Sequence, residues 1–70
     1  MGVNEFCRYL QEKGLFPVVD NEGRWIYVYS YLNYYRRPVG KIKTRKVSNL
    51  SDPDEFVVSC TLKAIWDERI

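Results

Sequence analysis

Two groups of side chains in this sequence are suited to binding chemistry, and they lie next to each other along the chain. The first is a row of aromatic residues within RWIYVYSYLNYYRR, the segment that covers residues 24–37. The second is a run of six basic residues, with no acidic residue among them, between positions 36 and 46. Flat rings stack on the bases of a single-stranded nucleic acid, and lysine and arginine side chains bind its phosphates. The combination therefore indicates a nucleic-acid-binding surface.

The expected contacts divide into stacking residues and phosphate-binding residues. We expect bases to stack on Trp25, Tyr27, Tyr29 and Tyr31. We expect phosphates to be bound by Arg36, Arg37, Lys41, Lys43 and Arg45. Single strands of DNA or RNA are the favoured ligand because their base faces are open to stacking. Duplex DNA gripped by a sheet is the less favoured form of the same hypothesis, with the same basic groups on its phosphates.

Other roles for the same residues stay open. Tyrosine, tryptophan and arginine are enriched at protein interfaces, so the same surface could instead bind an acidic protein or a second copy of the chain. Tyrosine also has a high preference for strands, and lysine at a sheet edge discourages unwanted strand pairing. A purely structural origin for both groups is thus the plain alternative to a binding site.

The sequence offers little for catalysis or for metal binding. It has no histidine, the side chain that most often serves as acid, base or zinc ligand near neutral pH. Cys7 and Cys60 match no metal-binding spacing and are expected to be small buried hydrophobic residues. The acidic cluster of Asp52, Asp54 and Glu55 lacks the glycine and the distal glutamate of a calcium loop. We therefore expect a binding protein with no enzymatic activity, no metal and no cofactor.

Length and composition predict one small folded domain over residues 1–70. The chain is 46% apolar and 16% aromatic, which is too rich in hydrophobic residues for a disordered segment. A domain of this length buries only about 60% of the surface that its unfolded chain exposes, so its stability should be small and a homodimer would add to it. No apolar run is long enough to span a membrane, and the first residues do not resemble a signal peptide, so we expect a cytoplasmic location.

The first element expected is a helix over residues 5–13. Asn4 is suited to be its N-cap, and Gly14 to take the left-handed conformation that ends many helices. Phe6 and Leu10 are four residues apart and would form a narrow apolar stripe on one side of this helix.

Alternating and β-branched segments predict four strands after the helix, at residues 15–19, 24–31, 41–47 and 56–66. Pro17 restricts the first strand to a sheet edge, because proline cannot donate a hydrogen bond to a neighbouring strand. The second strand is expected either to run on to Tyr35 or to break near Asn33. Before the fourth strand we expect a turn, or a single helical turn capped by Asp52, and the charged tail at residues 67–70 should be frayed.

Side-chain alternation assigns a buried and an exposed face to each strand. In the second strand Ile26 and Val28 would face the core, while the aromatic row points the other way. The fourth strand is expected to bury Phe56, Val58, Cys60, Leu62, Ala64 and Trp66. Truncation to alanine of a main core residue should cost about 2–5 kcal/mol. The side chains expected to carry the core in this way are Phe6, Leu10, Val28 and Leu62.

These elements predict an α+β fold of two layers, with one N-terminal helix packed on a three- to four-stranded, mostly antiparallel sheet. The first two strands should form a hairpin, and the strand order should follow the sequence. The alternative is a small SH3-like or OB-like barrel with an added helix. In the preferred arrangement the helix covers the aliphatic face of the sheet, so the rings and the cations share the other, accessible face.

Overall fold

The structure, a computed structural model, describes residues 1–69 of the chain. Its helices and strands, in chain order, are α1 (Val3–Glu12), β1 (Leu15–Val19), β2 (Trp25–Ser30), β3 (Gly40–Lys43) and α2 (Pro53–Arg69). The three strands form one antiparallel sheet in the order β1-β2-β3, as predicted. The α+β class with an N-terminal helix on this sheet is confirmed. The sheet is open, so the barrel alternative is wrong.

Helix α1 begins two residues before the expected start. Its N-cap is Gly2, and not Asn4. The Glu5 carboxylate accepts a hydrogen bond from the Gly2 N–H at 3.3 Å, so a side chain inside the first turn satisfies a backbone donor that would otherwise lack a partner. Asn4 lies inside the first turn of α1, so the prediction that it caps the helix is wrong.

The end of α1 and its buried stripe agree with the prediction. Gly14 follows the C-cap residue Lys13 and has a φ of +84°, which is the left-handed conformation that glycine adopts without a steric cost. Phe6 and Leu10 are fully buried. The narrow stripe therefore anchors the helix to the sheet.

The β1–β2 hairpin also agrees with the prediction. Pro17 lies in the edge strand β1, where its missing N–H does not interrupt the sheet. In the connecting turn the Gly23 N–H donates to the Asp20 carbonyl at 3.0 Å, and Gly23 has a φ of +70°. The Asp20 carboxylate accepts a hydrogen bond from the Arg24 N–H at 2.8 Å, which closes the turn from the other side.

Strand β2 ends at Ser30, earlier than the predicted range. The Ser30 hydroxyl accepts a hydrogen bond from the Leu32 N–H at 3.1 Å and caps a short 3-10 turn, Tyr31–Asn33. Tyr34 and Tyr35 follow in the left-handed conformation, with φ of 59° and 56°. Tyr31 therefore leaves the strand, and the predicted aromatic row loses its last member.

Strand β3 is also shorter than predicted, because the chain coils after Lys43. The Thr44 hydroxyl donates to the Gly23 carbonyl at 2.8 Å and joins the end of β3 to the β1–β2 turn. From there Thr44–Asn49 form a second 3-10 turn that buries Val47. Arg45 consequently belongs to this turn, and its predicted place on a third strand is wrong.

The predicted fourth strand is wrong, since residues 53–69 form the helix α2. Its start has strong helical signals: the Asp52 carboxylate accepts a hydrogen bond from the Glu55 N–H at 3.2 Å, and Pro53 is the first helical residue. The helical turn capped by Asp52, one of the two alternatives for this segment, is thus the beginning of a helix of 17 residues.

The strand predicted at residues 56–66 and the helix found there share part of one buried face. Phe56, Cys60 and Ala64 are spaced four apart, which places them on one face of a strand and also on one face of a helix. Cys60 and Ala64 are buried and Phe56 packs against the core, so these positions agree with both periods. The remaining predicted core positions are more than half exposed: Val58, Leu62 and Trp66.

The core lies between the sheet and the two helices, which cover the same face. The Phe6 and Phe56 rings, one from each helix, lie 5.7 Å apart between centroids. In the described part of the chain, ten buried hydrophobic residues form this cluster: Phe6, Leu10, Leu15, Ile26, Val28, Val39, Ile42, Val47, Cys60 and Ala64. Across residues 1–69, no helix has the length and apolar character needed to cross a lipid bilayer.

Helix α2 packs closely against the sheet at Gly40. A β-carbon at this position would lie 2.5 Å from the Cys60 sulfur and 3.4 Å from the Phe56 ring. We expect Gly40→Ala to lower the free energy of unfolding by about 1–3 kcal/mol, because the added methyl group overpacks the contact. Urea unfolding measures this cost. The cost should shrink in a Cys60→Ala background, where the sulfur is gone, and an equal cost in both backgrounds would contradict the close contact.

Candidate nucleic-acid interface

The open face of the sheet carries aromatic and basic side chains together. The antiparallel register places Trp25 opposite Lys43, and Tyr27 opposite Lys41. The alternate residues of β2, Ile26 among them, are buried on the core side. The helices thus cover the aliphatic face, and the rings and lysines share the other one, as the alternation predicts.

Trp25 is the centre of this arrangement. The Lys41 and Lys43 ammonium nitrogens lie 4.9 Å and 5.4 Å from the centroid of its ring. The Tyr27 ring stacks beside it, with centroids 6.5 Å apart and an interplanar angle of 25°. Such cation–π contacts contribute about 0.5–1 kcal/mol each at exposed sites, and they hold both amines over the sheet. Neither lysine forms an ion pair within the described part of the chain.

The predicted aromatic row is only partly accessible. Trp25, Tyr27 and Tyr29 are half-buried, since each packs between neighbours on the sheet. Tyr31 is exposed, but it lies on the 3-10 turn and apart from the row. The Phe16 ring, which is not among the predicted contacts, is more exposed and lies opposite Tyr29 in the register.

A basic hollow of about 460 Å³ lies where β2 begins and β3 ends. Its lining residues are Arg24, Trp25, Lys43, Thr44 and Arg45. Arg45 lies on the second 3-10 turn and not on a strand, but it still lines this hollow together with Trp25 and Lys43. Arg24 forms an ion pair with Glu22 at 3.4 Å. Two of the predicted phosphate ligands, Lys43 and Arg45, line this hollow.

A second hollow, of about 400 Å³, lies at the other end of β2. Its lining residues are Phe16, Val18, Tyr29 and Tyr35, and we call it the aromatic hollow. Trp25 in the basic hollow and Tyr29 in the aromatic hollow are four strand residues apart, which corresponds to about 13 Å. The open face therefore offers a cationic site at one end and an apolar ring site at the other.

The two arginines after the tyrosines have different surroundings. Arg36 lies with its guanidinium 5.5 Å from the centroid of the Tyr34 ring. Arg37 lies 3.8 Å from the Asp67 carboxylate of α2. The buried Asn33 amide donates to the Arg37 carbonyl at 3.2 Å and approaches Asp67 at 3.5 Å. Arg37, predicted to bind phosphate, thus also ties its loop to α2.

The same contacts correct the prediction of a frayed tail. Helix α2 runs through Arg69, and the Asp67 side chain is only 14% exposed. Asp67 is held because it accepts from Asn33 and pairs with Arg37, two contacts that no local pattern reveals. Ile70, the last residue of the predicted tail, lies outside the described residues.

Charge is segregated between the sheet region and α2. Residues 15–50 hold seven basic residues against two acidic ones, whereas residues 51–70 hold two basic residues against five acidic ones. The two acids in the sheet region, Asp20 and Glu22, lie in the hairpin turn and both contact Arg24. The basic charge of Lys41, Lys43 and Arg45 is therefore not neutralised by nearby acids of the sheet region.

Neither cysteine is suited to nucleophilic chemistry. Both thiols are free, Cys60 being buried and Cys7 half-buried. Burial raises the pKa of Cys60 from its usual 9.0 to about 11, with the nearby Lys63 acting weakly in the opposite direction. Burial also raises the pKa of Cys7. Because the thiolate is the reactive form, both side chains behave as small hydrophobic groups at neutral pH.

The acidic cluster before α2 has a structural role in the described chain. Asp52 caps the helix, and Asp54 and Glu55 lie in its first turn, where the helix dipole favours negative charge. Among residues 1–69, no group of three or more Cys, Asp or Glu side chains is placed to hold a metal ion.

Helix α2 carries an exposed apolar stripe on the side away from the core. Its members follow helical spacing along the helix: Val58, Leu62, Ile65 and Trp66. This surface is absent from the predictions because the predicted fourth strand placed three of its four residues in the core.

Comparison with protein-family models, with curated proteins and with solved structures found no match for this chain.

Proposed function

We propose that this chain is a small, non-enzymatic, cytoplasmic module that binds nucleic acid, DNA or RNA, on the open face of its sheet. The observation that carries the proposal is the placement of the Lys41 and Lys43 amines within 5.4 Å of the Trp25 ring centroid. Stacking and phosphate binding need rings and cations at the same place, and this pair of contacts supplies both.

The phosphates bind at the basic hollow. Lys43 and Arg45 line it, and Lys41 lies on the same strand beside the Trp25 ring. Binding releases the counterions condensed on the nucleic acid, so affinity depends strongly on salt. The acidic residues of α2 lie on the helical layer, and their charge orients an approaching polyanion toward the sheet.

Single strands are the preferred ligand. A duplex hides the faces of its bases, whereas an unpaired strand presents them to Trp25, Tyr27 and Tyr29. Duplex DNA with a sheet against its groove would use the same lysines on phosphates, but the rings would contribute little. The number of rings on the face therefore favours the single strand.

The test is a titration of a labelled 12-nucleotide single strand and of the matching duplex at two salt concentrations, followed by fluorescence anisotropy. We expect micromolar or tighter binding of the single strand at 50 mM salt, weaker binding of the duplex, and loss of affinity at 200 mM salt. An acidic polypeptide such as polyglutamate serves as competitor. Failure to bind either oligonucleotide at 50 mM salt would refute the proposal, and tighter binding of polyglutamate than of the oligonucleotide would replace it with an acidic protein ligand.

Self-association is the second candidate, and the α2 stripe favours it. In an antiparallel pair of α2 helices with a two-fold axis at Leu62, the small Val58 of one copy would face the partner's large Trp66, and the reverse at the other end. A large side chain would face a small one at each end of the helix pair, so the stripe would be complementary in shape to the same stripe of a second copy. Sizing at 10 µM and at 500 µM should then show a concentration-dependent dimer, and a monomer at both concentrations would exclude it.

A further inference from the structure

We propose that the aromatic hollow, lined by Phe16, Val18, Tyr29 and Tyr35, receives one unpaired base of the bound single strand. This inference rests on the proposed function and adds to it a specific base site. That site contains residues outside the predicted aromatic row and lies at the far end of the face from the basic hollow.

The geometry of the hollow suits a flat ring. Phe16 and Tyr35 are 54% and 55% exposed, so about half of each side chain is open to a ligand. Their rings lie 6.1 Å apart and meet nearly at right angles, at 73°. A planar heterocycle can stack on one of these rings and meet the edge of the other, which are the two arrangements that aromatic groups prefer. The volume of about 400 Å³ is within the range of small-ligand sites.

The backbone at Tyr35 holds its ring in place at a conformational cost. Tyr34 and Tyr35 both have positive φ, 59° and 56°, a region that bulky side chains rarely adopt and that glycine or asparagine would occupy with less strain. Hydrogen bonds maintain this corner: the Tyr35 N–H donates to the Ser30 carbonyl at 3.0 Å, and the Tyr34 N–H donates to the Tyr31 carbonyl at 3.0 Å. The ring is therefore presented before any ligand arrives, which lowers the entropy lost on binding.

Packing does not account for a tyrosine at this position. Tyr35 is more than half exposed, so it adds little to the core while its backbone remains strained. Backbone strain of this kind is found at binding sites, and of the two strained tyrosines Tyr35 is the one that lines the hollow. The strained backbone places the Tyr35 ring beside the Phe16 ring, and this contact closes one wall of the hollow.

The charge on the rest of the open face favours a nucleotide over a purely apolar ligand. Lys41 and Lys43 of β3 lie farther along the same face, toward the basic hollow. A ligand that fills an apolar ring site at one end of the face and meets cations toward the other end carries a flat base and an anionic backbone, which describes a single-stranded nucleic acid.

The test compares Tyr35→Asn with Tyr34→Asn. Both variants remove an exposed ring from a left-handed backbone that asparagine tolerates, but only Tyr35 lines the hollow. We expect Tyr35→Asn to weaken binding of a 12-nucleotide oligothymidylate about 5- to 100-fold, the usual effect of losing one stacking ring, while Tyr34→Asn, which removes the ring beside Arg36 and no part of the hollow, weakens it much less. Duplex affinity should be the same in both variants, and thermal unfolding should show that both fold.

The outcomes separate this inference from the proposed function. If the wild-type protein binds the oligothymidylate and Tyr35→Asn binds equally well, the base site is refuted and the nucleic-acid proposal survives. Equal losses in the two variants, or an equal loss on the duplex, would also refute a base site in the hollow. If the wild-type protein binds no oligonucleotide at 50 mM salt, both proposals are refuted.

Discussion

Phe6→Ala should unfold most of the protein at room temperature or lower its melting temperature by about 12–40 °C. The Phe6 side chain is fully buried, and its ring contacts that of Phe56, so it joins α1 to α2 over the sheet. Removing a buried phenylalanine ring costs about 3–5 kcal/mol, and each kcal/mol lowers the melting temperature of a domain of this size by about 4–8 °C. Total stabilities of about 5–15 kcal/mol leave a small domain little reserve against such a loss. Urea and thermal unfolding followed by circular dichroism measure it.

Leu62→Ala is the matched comparison. The side-chain pattern predicts that Leu62 and Phe6 are both core residues, whereas in the structure Leu62 is 55% exposed on the outer side of α2. Alanine has at least as high a helix propensity as leucine, and surface substitutions usually change stability by less than about 0.5 kcal/mol. A loss of several kcal/mol in the Leu62→Ala monomer would contradict the helical assignment of residues 53–69 and restore the predicted fourth strand.

The second large effect is expected from the triple variant Lys41→Ala, Lys43→Ala and Arg45→Ala. These residues supply the cations beside Trp25 and in the basic hollow. For single strands the logarithm of affinity falls with the logarithm of salt concentration by about 0.7 for each phosphate contact, so losing three contacts should reduce the slope by about 2. Between 50 and 200 mM salt the wild-type protein should therefore lose about 20-fold more affinity than the variant.

A control variant separates local contacts from overall charge. Arg8→Ala, Lys13→Ala and Lys63→Ala remove the same number of positive charges from α1, its C-cap and α2. We expect this variant to retain nearly the wild-type salt slope, since these side chains belong to the helical layer. Equal reductions of the slope in both triple variants would show that binding depends on net charge alone and would remove the open face as the site.

Local signals in the sequence were sufficient for the first half of the fold. Phe6 and Leu10 repeat at the helical period, and Gly14 ends the helix with the backbone conformation that its type favours. Pro17 restricted β1 to the edge where it lies. In each case the information comes from residues within one turn or one strand, so no distant contact was needed to interpret it.

The second half combines a local signal with contacts between distant residues. The period of Phe56, Cys60 and Ala64 is compatible with a strand and with a helix, and the length of the run together with the Asp52 cap favours the helix. The missing β-carbon of Gly40 allows Cys60 of α2 to pack closely against the sheet. A glycine 20 residues away in the sequence carries no local sign of that role.

The candidate site divides in the same way. Alternation along β2 and β3 was enough to place Trp25, Tyr27, Lys41 and Lys43 on one face. It was not enough to find the aromatic hollow, because Phe16 lies on another strand and Tyr35 lies on a corner held by hydrogen bonds to Ser30.

The amino-acid sequence by itself determined which side chains alternate, where α1 ends, how β1 turns into β2, and that rings and cations lie on adjacent strands. Only the tertiary structure decided that Cys60 packs against Gly40, that Asp67 is held by Asn33 and Arg37, and that Phe16 and Tyr35 enclose a hollow. The physical reason is that these two kinds of interaction act over different distances along the chain. Backbone propensity and side-chain period act over a few residues, whereas packing volume and paired polar groups depend on which distant segments meet.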